Sequence, residues 1–245
     1  HPAARPVPPA PLSPELSKLL ARLPVQDDAE ALRKSLFHAG THFNPDLLTS
    51  EAERRARLEG VHAALDRAES LVFLDTESTG GRNGRLIEVG LVETDVEQNI
   101  TGGLHFRCNP HRRSQARARR VHGIQDCELE HCPEFAARAD ELLEAVRGKT
   151  VVIHDRTMDL LWLNRELQAA RPGAPRFEDC CTVIDSFVLA RAVPSERRRN
   201  GLDALLEWYG LGARGGHHDA YGDAALLSRV FFELWWDLDE WLYGE

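Results

Sequence analysis

The chain has 245 residues, 42% hydrophobic and 28% charged, enough for one large globular domain with an appendage. It has no apolar run near the roughly eighteen residues of a membrane span and no signal-peptide pattern, and its five cysteines lack a C-x-x-C pair, which argues against membrane insertion, secretion, a disulfide framework and a zinc ribbon. A soluble protein of the reducing cytoplasm is expected; its net charge of −9 argues against a polyanionic partner overall, yet only three of its 30 basic residues are lysines (Lys18, Lys34, Lys149), and arginine grips phosphate with a bidentate fork.

In chain order, residues 1–14 hold Pro2, Pro6, Pro8, Pro9, Pro11 and Pro14 and read as an extended arm. Ser13 and Pro14 start a helix as N-cap and first helical residue, with Leu16, Leu19, Leu20 and Leu23 on one stripe. A second helix is expected over Asp28 to His38. A third begins at Ser50, which with Glu53 forms a capping box ahead of Leu58, Val61 and Leu65. Residues 15–70 therefore read as a helical N-terminal extension, whose apolar stripes either pack on the main domain or dock a protein partner.

From Leu71 the pattern changes to strands, and residues 71–245 read as one domain. Leu71 to Leu74 is a short apolar run suited to a strand buried on both faces. Arg85 to Thr94 and Gly103 to Cys108 follow as two more strands, giving an antiparallel meander. Pro133 opens a helix carrying Phe135, Leu142, Leu143 and Val146. Thr150 to His154 and Cys181 to Asp185 are further strands, each followed by a helix, over Arg156 to Ala169 and Ser186 to Ala192. Asn200 is read as the N-cap of the next helix, and a long final helix spans about Asp219 to Tyr243. Three meander strands followed by alternating strand and helix predict a mixed α/β sheet with helices on both faces.

The first strand runs directly into Asp75 and Glu77. Spaced i, i+2 on extended chain they point to one side, where both could hold a divalent ion; a solvated strand end is the plainer alternative. Asp159 falls in the first turn of the helix after the Thr150 strand, above the same sheet edge if the strands are parallel neighbours. Asp223 lies five residues after His218, a spacing that on one continuous helix sets them about 140° apart. Gly215 and Gly216 allow His218 to ride on a loop instead, with His217 as its nearest competitor. Four carboxylates in one crevice repel each other unless cations join them, and oxygen ligands select hard ions such as Mg²⁺ or Mn²⁺.

DTESTG, IHDRTMD and HDAYGD, in that order, resemble the three motifs of the DEDDh family of 3′–5′ exonucleases, which includes the proofreading epsilon subunit of the bacterial replicative polymerase. The resemblance covers residues 71–243 and extends to VHGI, DSFVLAR and NGLDAL. It implies a ribonuclease-H-like fold with a five-stranded sheet, two Mg²⁺ or Mn²⁺ ions held by Asp75, Glu77, Asp159 and Asp223, and His218 as general base. It further implies release of nucleoside 5′-monophosphates from a nucleic-acid 3′ end, with DNA favoured over RNA. The second motif departs from the family's His-Asn-x-x-Phe-Asp, with Asp155 for the Asn and Met158 for the Phe. Asp155 would then act as an N-cap, or add negative charge near the ions.

Two arginine clusters compete between phosphate contact and plain solvation: residues 111–120, with Arg117, Arg119 and Arg120, and residues 197–199. Thr79 and Gly80 are candidates for seating the terminal nucleotide through backbone groups, while the motif match brings His122 and Asn200 near the substrate. RNA trimming and a non-catalytic end-binding module remain as alternatives. The chain's end at Glu245, soon after the last helix, argues against stable incorporation in a polymerase.

Overall fold

The computed structural model describes residues 51–244. The Pro-rich arm, the helices expected at 13–23 and 28–38, the Ser50 cap and the partner-docking surface on residues 15–50 lie outside the described residues.

The chain enters with α1 (Glu51–Leu65) and then lays down β1 (Ser70–Ser78), β2 (Leu86–Asp95) and β3 (Ile100–Arg107). Two short helices follow, α2 (Ala116–His122) and α3 (Asp126–Leu129), then one 3₁₀ turn (Phe135–Ala137) and α4 (Ala139–Val146). The remainder alternates β4 (Thr150–Ile153), α5 (Thr157–Ala170), α6 (Phe177–Cys180), β5 (Thr182–Asp185), α7 (Ser186–Ala192), α8 (Leu202–Trp208) and α9 (Ala220–Tyr243). The sheet order is β3-β2-β1-β4-β5, antiparallel among β1, β2 and β3 and parallel from β1 through β4 to β5. This is the mixed five-stranded sheet that the sequence predicts.

β1 divides the core. Leu71 and Phe73 face a layer built from α1, α7, α8 and α9, with Leu65, Leu205, Leu227 and Phe231 fully buried against them. Val72 and Leu74 face the opposite layer, with Leu142, Leu163 and Phe177. Strand residues alternate between faces, so one apolar run of four serves both cores. α1 belongs to the first layer: Leu58 and Leu65 enter its core, and His62 bonds Asp239 of α9 at 2.9 Å.

Three local expectations need correction. The helix expected from Pro133 is broken, because Arg138 (φ −116°, ψ −4°) leaves helical geometry where the 3₁₀ turn closes, and α4 starts anew beyond it. The N-cap of α8 is Gly201 rather than Asn200, and the Gly201 carbonyl accepts the Leu205 N–H at 3.0 Å. Asp155 does not cap α5, whose N-cap is Arg156. Asp155 instead takes a left-handed φ of 56°, which Asp and Asn tolerate better than other side chains.

Candidate active site

Asp75 and Glu77 project from the C-terminal end of β1 toward the α9 layer. Their cross-strand partners on β2 are Gly90 and Glu88. A Cβ added at Gly90 would lie 2.2 Å from the Ala220 carbonyl carbon and 2.3 Å from the Tyr221 nitrogen, so only glycine lets the first turn of α9 rest directly on the sheet. Asp223, one turn into α9, is thereby held beside both β1 carboxylates.

Asp159 arrives from the other layer. β4 pairs with β1 only from Leu71 to Phe73, so β1 runs on past its neighbour and leaves room for the turn into α5. Thr76 faces that turn, and its hydroxyl donates to Asp159 Oδ1 at 2.6 Å. The turn is tied down by Asp185 at the end of β5, which accepts the Asp155 N–H at 3.2 Å and caps α7 through the Phe187 and Val188 N–H groups.

His218 precedes α9, whose N-cap is Asp219, so helical spacing does not separate it from Asp223. Its N–H donates to the Val121 carbonyl at 3.0 Å, and the His217 ring lies 2.8 Å from where a Cβ on Gly123 would stand. Gly123 (φ 73°) therefore serves twice, as the left-handed C-cap of α2 and as the space that admits His217. His218 Nδ1 lies 3.6 Å from Asp223 Oδ2 and 3.9 Å from Glu77 Oε1. Donor atoms of Glu77, His218 and Asp223 all fall within 4.8 Å of one another.

Burial pushes the Asp75 carboxyl well above its ordinary range, and Asp159, Glu77 and Asp223 push it further. Burial likewise raises Glu77 to about 8, with Asp223, Glu88 and Asp159 adding to the rise. Asp159 is raised to about 7 and Asp223 to about 6, mainly by burial. A cluster that holds its negative charge so reluctantly, with carboxylate oxygens as its chief donors, suits a hard divalent cation. Burial, then Arg214, holds His218 below its usual value, which leaves the imidazole neutral at pH 7.

Two site residues escaped the sequence reading. Arg214 donates through Nη1 to Asp223 Oδ2 at 2.7 Å, and the same Nη1 lies 2.7 Å from His218 Nδ1, while its Nε lies 2.9 Å from Asp203 Oδ1. The signal was a single arginine in a glycine-rich loop four residues before the histidine. Glu88, fully buried, accepts from Arg107 Nε at 2.8 Å, His105 Nε2 at 3.0 Å and the Ala220 N–H at 3.0 Å. Burial alone would raise it, but these donors outweigh burial and hold it below its ordinary range. Its signal was a carboxylate inside the apolar run RLIEVGLV.

The substrate candidates divide. The Thr79 backbone is already used: its N–H donates to the Arg85 carbonyl and its own carbonyl accepts the Gln115 N–H, which corrects the expectation that Thr79 offers those groups to a nucleotide. The Gly80 N–H reaches Ser78 Oγ at 3.2 Å, and Gly80 (φ 97°) lies against Gln115 and Ala118 of the α2 region. The second half of the arginine segment forms the start of α2 while residues 111–115 stay irregular; Arg117 and Arg120 are exposed, and Arg119 pairs with Asp126 at 2.8 Å. Arg197 is buried and joined to Asp237, Tyr209 and the Ala190 carbonyl, so that member of the second cluster braces α9 instead of standing free on the surface. His122 is buried, its Nδ1 accepting the Ile124 N–H at 3.0 Å and its Nε2 without a partner. Asn200 Oδ1 is likewise buried and unpartnered.

The exonuclease family model matches residues 72–231, and the chain belongs to that family. Its relatives include the DNA polymerase III subunit epsilon of Rickettsia conorii, 36% identical over 66% of this chain and 72% of the relative. The Escherichia coli subunit epsilon is 33% identical over 66% of this chain and 70% of its own length. A 3′-exonuclease in a structure of histone mRNA stem-loop recognition matches with TM-score 0.57 and 16% identity, over 69% of this chain and 83% of that one. Exonuclease X bound to 5′-overhanging duplex DNA matches with TM-score 0.50 and 18% identity, over 67% and 90%. The fold is thus ribonuclease-H-like, and the activity class is 3′–5′ exonuclease. Among the described residues no helix is long and apolar enough to cross a membrane.

Proposed function

We propose that the chain removes nucleoside 5′-monophosphates from single-stranded or frayed 3′ ends of DNA, using two Mg²⁺ or Mn²⁺ ions and His218 as general base. The observation that carries this reading is the meeting of four carboxylates from three separate elements beside one neutral histidine. Asp75, Glu77, Asp159 and Asp223 would hold the ions, which when bound supply the positive charge that polarises the scissile phosphate and offsets the charge developing on it.

His218 is suited to accept the proton of the attacking water, since its imidazole is neutral and sits within 3.9 Å of Glu77 and 3.6 Å of Asp223. The Val121 carbonyl holds its backbone, and the carboxylates orient the protonated ring once it forms. Gly80, His122 and Asn200 line the approach in this reading. Arg117 and Arg120, exposed on α2, meet the phosphates upstream of the terminal one, with Arg119 a lesser contributor because Asp126 already holds it. Residues 71–245 make up the catalytic domain. DNA is preferred because the relatives at 33–36% identity are named as DNA polymerase III subunits.

The deciding experiment is a product assay on matched 3′-labelled DNA and RNA oligonucleotides with Mn²⁺, wild type against Asp75→Asn. Wild type should release mononucleotides from DNA faster than from RNA, and the variant should lose at least ~100-fold in rate, since disturbing even the outer shell of a metal site costs 10–100-fold. Faster RNA digestion overturns the substrate class. An intact substrate with wild type overturns the enzyme reading in favour of an end-binding module. An Asp75→Asn variant as active as wild type overturns the site.

A further inference from the structure

The Arg214 side chain is 13% exposed, and it points into the carboxylate cluster rather than toward solvent. Its Nη1 donates to Asp223 Oδ2 at 2.7 Å, a charge-assisted bond to one of the proposed ion ligands. A guanidinium keeps its charge at any working pH, so it cannot share that oxygen with a divalent cation by losing a proton. On Oδ2 the guanidinium and the cation compete. The guanidinium also pairs with a second anion: Nε lies 2.9 Å from Asp203 Oδ1 on the first turn of α8, an ion pair without hydrogen-bond geometry, and the Asp203 side chain is 71% exposed. The chain around Arg214 is glycine-rich and uncrowded, with Gly212 at φ 95° and Gly215 and Gly216 facing open space.

We propose that Arg214 is a built-in competitor for the divalent ion at Asp223: an ion that takes Asp223 Oδ2 displaces Nη1, and the guanidinium swings away from the cluster while keeping its contact with Asp203. This rests on the metal-dependent reading above and adds a determinant of the site's ion affinity. The same swing withdraws Nη1 from His218 Nδ1, so the imidazole becomes free to accept a proton only when Asp223 is engaged by an ion. Arg214 thus acts as a positioning residue, coupling ion binding to release of the base.

The test is Mn²⁺ binding, followed both by electron paramagnetic resonance of free Mn²⁺ and by thermal melting, in wild type, Arg214→Gln, Arg214→Lys and Asp75→Asn. Removing the competitor should lower the Mn²⁺ concentration at half-saturation about tenfold, the loss of one charge-assisted hydrogen bond. It should also lower the melting temperature of the metal-free protein while leaving that of the Mn²⁺-saturated protein in place. Arg214→Lys, whose single ammonium cannot bridge Asp203 and Asp223, should shift the midpoint the same way by less. A purely structural role would lower both melting temperatures equally and leave the midpoint unchanged in both Arg214 variants, which overturns the proposal. Loss of Mn²⁺ binding in Asp75→Asn supports the underlying metal reading. Wild-type binding in Asp75→Asn would overturn that reading instead, so the two failures are distinguishable.

Discussion

Glu77 titrates near 8 in the native protein against an ordinary value of 4.5, and Asp159 near 7 against 3.8. Folding therefore tightens their hold on protons. The stability contributed by these groups is complete below about pH 4 and is lost as pH rises through 7 and 8. His154 has the opposite sign: burial lowers it from 6.5 to about 4, so its contribution is present above pH 6.5 and is lost on acidification. Of these three groups, only the two carboxylates change stability above pH 6.5. The melting temperature of chelator-treated protein is expected to fall between pH 6.5 and 8.5, less steeply in Glu77→Gln and less steeply with saturating Mn²⁺. A flat profile in wild type contradicts the clustered geometry. Glu88 belongs to this scale too, because one buried carboxylate joins β3, β2 and the first turn of α9. Glu88→Gln cannot satisfy Arg107, His105 and the Ala220 N–H together. A ~10–100-fold loss of Mn²⁺ affinity is expected by titration, the range for partners that orient metal ligands.

At the scale of elements, the site depends on how closely α9 approaches the sheet. Gly90→Ala would drive a methyl group into the Ala220 and Tyr221 backbone, which has no flexible side chain to yield. Overpacking of this kind costs about 1–3 kcal/mol, measurable as a lower urea midpoint, and should weaken Mn²⁺ binding because Asp223 rides on the displaced turn. An unchanged midpoint would mean that α9 sits further from β2. Most elements were legible from periodicity alone: β1, β2, β4, β5 and α9 are found with their ends within a few residues of expectation. β3 begins at Ile100, earlier than expected, since an edge strand with one exposed face carries a weak apolar signal. α2, α3 and α6 were not legible, being seven, four and four residues long. α2 also carries so many arginines that its helical stripe is hidden, and its stop, Gly123, shows its meaning only once the left-handed turn is seen.

At the scale of the whole molecule, a net charge of −9 coexists with exposed arginines on α2. The Gln115 N–H bonds the Thr79 carbonyl at 2.8 Å, which fastens the start of α2 to the loop after β1. Replacing Arg117 and Arg120 with Ala should reduce the slope of log binding constant against log salt by about two, one for each phosphate left without its arginine. Arg119→Ala should change that slope less, because Asp126 already holds the guanidinium. Equal slopes in wild type and the double variant would remove α2 from the binding surface.

By itself the sequence determined the sheet's strands, the chain segments that carry Asp75, Glu77, Asp159, His218 and Asp223, and the exonuclease resemblance. Each of these is written in local periodicity or in motif spacing, which neighbouring residues fix without reference to distant ones. The tertiary structure decided which charges meet. Arg214 opposite Asp223, Glu88 beneath Ala220, Arg197 turned inward to Asp237 and Thr79 bonded to Arg85 and Gln115 are all pairings across loops or layers. A charged side chain reads alike in sequence whether it ends in solvent or in a buried pair, and only packing settles which desolvated groups must find each other.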